Sequence, residues 1–313
     1  MAYVPGRSES APTTGAAVRP PMRIETVRRQ FDRRAPRFAH ADFLPREAAR
    51  RLIEHLDEVR LTPQRILDLG CGSGATQRLL VHRYPRARWV GVDLSLPMLT
   101  GGRTGAALGD LLMRWRGRGR WRVCADAAAL PFTEGSFDLL FSNLMLHWHP
   151  APQAVFAECR RVLAADGLLL FSCFGPDTLR ELRAACAETL PAAAPMAFAD
   201  MHDLGDLLVA AGFAAPVMDM EMLRLTYESP QRLLREVRLL GGNPRDDRAP
   251  GLPSGARARA LLQALERRRG ADGRIALTFE IVYGHAWKPP PRAPREQVVA
   301  LDRLRAGLPR SRS

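Results

Sequence analysis

The chain has 313 residues, 46% of them apolar and 25% charged, with a formal net charge of +13. Normal apolar content, with 25 glycines and 25 prolines dispersed, excludes a collagen-like or wholly disordered chain. No run approaches the roughly 18 consecutive apolar residues that a membrane span needs.

Residues 1–22 carry Pro, Gly, Ser and Thr without an apolar h-region, and read as a disordered tail rather than a secretory signal. From Ile24 a helical spacing runs through Phe31, Phe38, Ala48, Leu52, Ile53 and Leu56, predicting a helical segment over 23–60. A strand at Arg65–Leu69 leads into the glycine run Gly70-Cys-Gly72-Ser-Gly74, a helix through Leu79, Leu80 and Val81, and a second strand at Arg88–Asp93. Strand, glycine loop, helix and strand within about 30 residues make the βαβ unit of a doubly wound α/β fold. Further strands are expected at Trp121–Cys124, Phe137–Ser142 and Gly167–Phe174, with a helix at Pro152–Leu163, so the sheet should be mainly parallel with helices on both faces.

Beyond Phe174 the texture changes. Helices are expected at Asp177–Leu190, Leu204–Ala211, Pro230–Leu240 and Gly255–Arg269, and strands at Val217–Tyr227 and Arg274–Trp287. Residues 61–175 thus read as a nucleotide-binding core and 176–288 as a cap that also finishes the sheet. Residues 289–313, with Pro289, Pro290, Pro291, Pro294 and many arginines, read as a basic disordered tail. Lys288 is the one lysine among 46 basic residues, and so uniform a preference for arginine reads first as coding bias. Cys71, Cys124, Cys159, Cys173 and Cys186 contain no C-x-x-C pair, which argues against a disulfide framework or structural zinc and fits a reducing cytoplasm.

The glycine run carries the first chemistry. In a dinucleotide site the third glycine lies three residues after the second, admitting a pyrophosphate at a helix N-terminus. Here Gly70, Gly72 and Gly74 alternate strictly, and Asp68 closes the preceding strand. Such a bend lets backbone approach a ligand with no pyrophosphate, and Asp68 can meet a positive one. S-adenosyl-L-methionine has both properties. Asp93 ends the second strand, 19 residues after Gly74, where a carboxylate can accept both ribose hydroxyls. Asp126 ends the third, where it can accept from an adenine amine while Ala127 offers a backbone amide. An aspartate after a strand is often only a turn or helix cap. Three at successive strand ends fall where open α/β sheets bind their ligands.

The runs I-L-D-L-G-C-G-S-G, G-V-D-L-S-L-P-M-L and D-A-A-A-L-P-F-T-E-G-S-F-D-L-L-F-S-N resemble class I S-adenosylmethionine-dependent methyltransferases over residues 65–174. Leu94 and Asn143 lie within them and join the cofactor residues that the resemblance implies. R-R-Q-F-D-R-R-A near the N-terminus, N-L-M-L-H-W at 143–148, F-G-P-D-T-L-R-E-L-R at 174–183, D-L-G-D-L-L-V-A-A-G-F at 203–213 and Y-G-H-A-W at 283–287 resemble one branch, the biotin-pathway malonyl-[acyl-carrier protein] O-methyltransferases. The resemblance implies an N-terminal lid, methyl transfer to the free carboxylate of a malonyl thioester, and a partner that is an acidic acyl-carrier protein or malonyl-coenzyme A. Two positions depart from the pattern: Phe38 stands where the family commonly has tyrosine, and His147 where it commonly has glutamine. L-H-W and F-G-x-D-T-L-x-E-L-R also occur in a related mitochondrial complex I assembly factor that hydroxylates an arginine, which stands as an alternative activity.

A carboxylate is ionised near neutral pH, so this transfer needs no general base. His147 and His149 then read as a base or metal pair, or as loop histidines that line the pocket or pack on Trp148. Arg180 and Arg183, three apart on one helix, can hold the substrate carboxylate, or form a solvated face paired with Glu181. Phe31, Phe38 and Trp148 either wall the pocket or belong to the core. Residues 103–122 hold six arginines against one aspartate, most of them in Arg114-Trp-Arg-Gly-Arg-Gly-Arg-Trp-Arg122. That segment reads as a nucleic-acid-binding stretch of a methyltransferase-like protein, a plain basic loop, or a patch that steers an acidic carrier protein. Of these partners the carrier protein is expected; membrane and nucleic acid are not.

Overall fold

The computed structural model describes residues 22–38, 42–101, 121–191, 194–241 and 255–291. Most of the two expected tails, and Arg114–Arg120 of the basic segment, lie outside them. Seven strands form one sheet: β1 (Arg65–Leu69), β2 (Arg88–Asp93), β3 (Trp121–Cys124), β4 (Phe137–Asn143), β5 (Leu163–Phe174), β6 (Ala214–Tyr227) and β7 (Ile275–Trp287). Their order is β3-β2-β1-β4-β5-β7-β6. The first five run parallel, and β7 inserts antiparallel between β5 and β6. The fold is a Rossmann-like doubly wound sheet, as the sequence leads one to expect.

Nine described helices accompany the sheet: α1 (Ile24–Phe38), α2 (Phe43–Glu54), α3 (Ala75–Arg83), α4 (Leu96–Leu99), α5 (Pro152–Val162), α6 (Arg180–Thr189), α7 (Met201–Ala210), α8 (Pro230–Leu240) and α9 (Gly255–Glu266). A parallel sheet is covered on both faces, so its strands alternate between two apolar layers. Ile66, Leu139, Phe141, Leu168 and Leu170 pack with Leu44, Leu52, Leu80, Leu182 and Leu265 from α2, α3, α6 and α9. Leu67, Leu69, Leu140, Leu169 and Phe171 face the other way, onto Val155, Phe156, Leu204 and Leu208 of α5 and α7. Neither layer includes α1. Its Val27 belongs to a small third cluster with Trp148 and Met196, onto which Phe31 packs.

Several element boundaries differ from expectation: β5 starts at Leu163 and β6 at Ala214, both early, α9 ends early at Glu266, and three further differences bear on the site. The N-terminal pattern divides into α1 and α2, and Leu56 falls in a short 3-10 turn, His55–Asp57. α6 starts at Arg180 rather than Asp177 because the preceding residues are bound elsewhere: the Asp177 amide donates to Glu280 Oε2 at 2.6 Å, and the Thr178 hydroxyl to the Glu280 carbonyl at 3.0 Å. α7 starts three residues early, at Met201, where Asp200 accepts the His202 amide at 2.8 Å and caps the helix. No described helix is long and apolar enough to cross a membrane.

Candidate active site

The strand order reverses between β1 and β4, so the loops leaving β1 and β4 diverge and open a crevice beyond their C-terminal ends. A cavity with about 1190 Å³ of empty space, part of it open to solvent, occupies that position. Gly70, Gly72, Asp93, Leu94, Asp126, Ala127 and Asn143 line its floor, and Phe31, Phe38 and Trp148 line it from above.

The glycine loop is pinned by backbone. The amides of Gly70 and Cys71 both donate to the Val92 carbonyl, at 2.8 and 3.0 Å, tying the loop to the end of β2. Gly70 has φ +73°, and a Cβ there would lie 2.5 Å from Met145 Cβ and Cγ, so both conformation and space demand glycine. Asp93 Oδ2 accepts the Gly72 amide at 2.9 Å and Oδ1 the Ser95 amide at 2.8 Å. Each oxygen keeps a lone pair for a further donor, which suits two adjacent ribose hydroxyls. Burial raises the Asp93 carboxyl from 3.8 to about 6, against the pull of those amides.

Asp126 sits at the next strand end. His149 Nδ1 accepts the Ala151 amide at 3.1 Å, so the ring proton lies on Nε2, which contacts Asp126 Oδ1 at 3.0 Å. The Ala128 amide reaches the same oxygen at 2.8 Å. Both protein contacts thus fall on Oδ1, leaving Oδ2 for an exocyclic amine. These free acceptor oxygens suit the chemistry of an adenosine moiety, which offers two ribose hydroxyls and an exocyclic amine.

Several of the expected residues stand elsewhere. Asp68 is buried behind the loop, where it accepts from the Thr76 hydroxyl, and is not among the lining residues. Burial raises its carboxyl to about 7. It therefore steadies the turn from β1 into α3 rather than facing a ligand. Gly74, with φ +86°, is also off the wall: a Cβ there would meet Arg122 Nη2 at 2.6 Å. Arg122 donates to the Ser73 carbonyl at 2.9 Å and to the Leu99 carbonyl, so the last arginine of the basic segment clamps the glycine loop. His147 is buried against Phe174, ring centroids 4.5 Å apart, and its Nδ1 accepts the Phe174 amide at 3.3 Å. His149, not His147, reaches the cavity.

Arg180 and Arg183 do not line the cavity either. Arg180 pairs with Asp177 at 3.1 Å and Glu181 at 3.4 Å, while Arg183 folds back onto the carbonyls of Thr178 and Pro176. The late start of α6 leaves those carbonyls unsatisfied within reach of Arg183, and the guanidinium fills that need. Among the lining residues Arg28 of α1 is the one arginine, exposed at the cavity mouth and without a carboxylate partner among the described residues. Sequence reasoning missed it because α1 carries five arginines, and nothing in their spacing says which one turns inward.

The aromatic residues do come together. Phe31 meets Trp148 edge-on at 5.5 Å and Phe38 at 6.5 Å, forming an apolar roof. Asn143 donates to the Pro45 carbonyl at 2.8 Å and accepts from Ser172 at 2.8 Å, so its side chain fastens α2 to the end of β4. Cys71 reaches the wall, but burial and the nearby Asp68 and Asp93 push its thiol well up, so it stays protonated and a poor nucleophile.

Residues 67–171 match the methyltransferase domain family model. The chain is 41% identical over 278 residues to the malonyl-[acyl-carrier protein] O-methyltransferase of Gallionella capsiferriformans, covering 88% of this chain and 95% of that one. It is 43% identical over 271 residues to the enzyme of the same name from Laribacter hongkongensis, covering 86% and 91%. Among solved structures, the YcgJ protein of Bacillus subtilis superposes with a TM-score of 0.53 at 18% identity, over 78% of this chain and 99% of that one, and supports the fold alone. With a cavity at the sheet's switch point and relatives of this identity over nearly its whole folded length, the chain belongs to the malonyl-[acyl-carrier protein] O-methyltransferase family.

Proposed function

We propose that the protein esterifies the free carboxylate of a malonyl thioester, carried on an acidic acyl-carrier protein, as a step of biotin synthesis. Esterification hides the charge and lets the chain pass as an ordinary apolar acyl primer. The methyl donor is S-adenosylmethionine, which supplies an activated methyl group on a sulfonium. In this reading Asp93 accepts the ribose hydroxyls, Asp126 Oδ2 accepts the adenine amine, Gly70, Gly72, Leu94 and Ala127 offer backbone, and Asn143 holds the floor through Pro45.

The observation that carries the proposal is the cavity wall itself. It joins an adenosine-shaped set of acceptors to an apolar aromatic roof with one guanidinium, Arg28, at its mouth. An ionised carboxylate needs an orienting cation and a dry wall more than a base. His149 is no base here, since both ring nitrogens are engaged with Ala151 and Asp126. Arg28 holds one carboxylate oxygen and leaves the other for the methyl group; Phe31, Phe38 and Trp148 exclude water.

Incubation with labelled S-adenosylmethionine and malonyl-carrier protein tests the proposal. A base-labile methyl ester on the malonyl group is expected. Label on RNA, or a hydroxylated arginine on a partner protein without methyl transfer, would instead support one of the two alternative activities.

A further inference from the structure

The charge on the two helices bordering the cavity is unbalanced. Together α1 and α8 carry eight arginines against three carboxylates, Glu25, Asp32 and Glu236. Asp32 is committed to Ser95, and Glu236 to Arg232. Arg28, Arg33 and Arg37 of α1, and Arg235 and Arg238 of α8, are exposed and lack a carboxylate partner among the described residues. Elsewhere several exposed arginines are paired: Arg46 with Asp42, Arg50 with Glu47, Arg180 with Asp177, Arg267 with Glu188. Other exposed arginines without a carboxylate partner among the described residues are scattered singly or in pairs: Arg86 and Arg88 at the N-terminal end of β2, Arg78 on α3, Arg224 on β6 and Arg259 on α9.

The two helices form one surface. Arg34 of α1 donates to the Gly241 carbonyl at the end of α8, and Leu240 beside it lines the cavity. Partial burial lowers the Arg34 guanidinium to about 10, a cost that an internal tether of this kind offsets. Arg33 and Arg37 flank that tether on α1, and Arg238 lies one turn before it on α8. On α1 the residues that line the cavity are Ile24, Val27, Arg28, Phe31 and Phe38, whereas Arg29, Arg33 and Arg37 recur every fourth residue along the outer side.

We propose that the outer faces of α1 and α8, through Arg33, Arg37, Arg235 and Arg238, form the docking surface for the acidic carrier protein. The inference rests on the proposed function and adds to it where the partner sits. Like charges clustered over neighbouring helices, without a carboxylate partner among the described residues, repel one another, and an acidic partner relieves that repulsion and is steered by it. Arg28, inside the rim, is left for the substrate's own carboxylate.

The triple variant Arg33→Glu, Arg37→Glu, Arg238→Glu tests this with two substrates, malonyl-carrier protein and malonyl-coenzyme A. The expected result is a KM for the carrier substrate raised about tenfold or more, with a weakened salt dependence, while the coenzyme A thioester is esterified as before. A thermal shift induced by S-adenosylmethionine, equal to that of wild type, confirms that the variant is folded. An unchanged KM for the carrier substrate overturns the docking surface, and does so even if the variant loses affinity for a single-stranded oligouridylate. Wild-type protein that esterifies neither thioester overturns the proposed function, and the docking surface with it.

Discussion

The Ser95 hydroxyl donates a 2.6 Å hydrogen bond to Asp32 Oδ1, fastening α1 to the turn that follows β2. Ser95 also caps α4 by accepting the Met98 amide at 3.2 Å, and its own amide is held by Asp93. The roof helix and the residue proposed to hold the ribose are thus two links of one chain. Asp32→Ala leaves a fully buried hydroxyl without its acceptor, a cost of about 1–3 kcal/mol. Amide hydrogen exchange across 24–38 should quicken and the Kd for S-adenosylmethionine rise about tenfold. Unaltered exchange would mean that the Arg34 tether and the packing of Val27 and Phe31 hold α1 without this bond.

Asp93 sets a pH dependence. Accepting two hydroxyls requires the carboxylate, so affinity for S-adenosylmethionine falls as pH drops through about 6, with Kd rising about tenfold per unit below it. Stability of the cofactor-free protein runs the other way. A folded carboxyl at about 6 binds its proton more tightly than the unfolded one at 3.8, so this group's contribution falls as pH rises from about 4 to about 6. Calorimetric titration and thermal melts over that range check both slopes; Asp93→Asn should flatten the binding slope and lessen the stability slope, to which Asp68, raised to about 7, also contributes.

Arg28 and Arg183 make a matched pair of variants. Arg28→Ala should lower kcat/KM for the malonyl thioester by about 10- to 100-fold, the worth of a charged hydrogen bond, and leave affinity for S-adenosylmethionine unchanged. Arg183→Ala should leave substrate kinetics alone and lower stability by about 1–2 kcal/mol, because it strips the partner from two carbonyls before α6. The reverse pattern in steady-state kinetics and melts would return the substrate carboxylate to α6.

Gly241 abuts the roof. Its φ is +148°, and a Cβ there would lie 2.1 Å from Trp148 Cζ2. Gly241→Ala should displace the Trp148 ring, cost about 1–3 kcal/mol, and shift the tryptophan fluorescence of the folded protein. A variant with wild-type fluorescence and Tm would show that the end of α8 yields instead.

The fold was legible where a local rule acts alone. β1, β2 and β3 have the bounds expected of them, because apolar runs closed by glycine or aspartate leave little choice of strand end. That Asp93 and Asp126 fall on the cavity wall is legible for the same reason: a strand end fixes where the side chains beside it can reach. Orientation on a helix or within a turn was not. Spacing puts Arg180 and Arg183 on one helical face without saying what lies opposite, and Glu280, 102 residues after Thr178 and 103 after Asp177, decides where α6 begins. His147 and His149 alternate in sequence, and only the short turn at Leu146–Trp148 determines that the first is buried and the second reaches the cavity. Asp68 reads as facing a positive ligand because it closes the strand before the glycines; burial beneath its own loop turns it inward.

The place of β7 constrains how the chain is made. It is the last strand in sequence yet lies inside the sheet, pairing with β5 from Leu168 to Phe174 and with β6 from Ala214 to Tyr227. On a ribosome β1 to β5 can assemble as soon as they emerge, but β6 has no neighbour until Ile275–Trp287 has left the exit tunnel. Until then β5 presents an open edge and Leu277, Phe279 and Ile281 are missing from the layer beneath α2, α6 and α9. A nascent chain stalled before residue 275 therefore exposes a sticky, half-built sheet, the species a chaperone would have to shield.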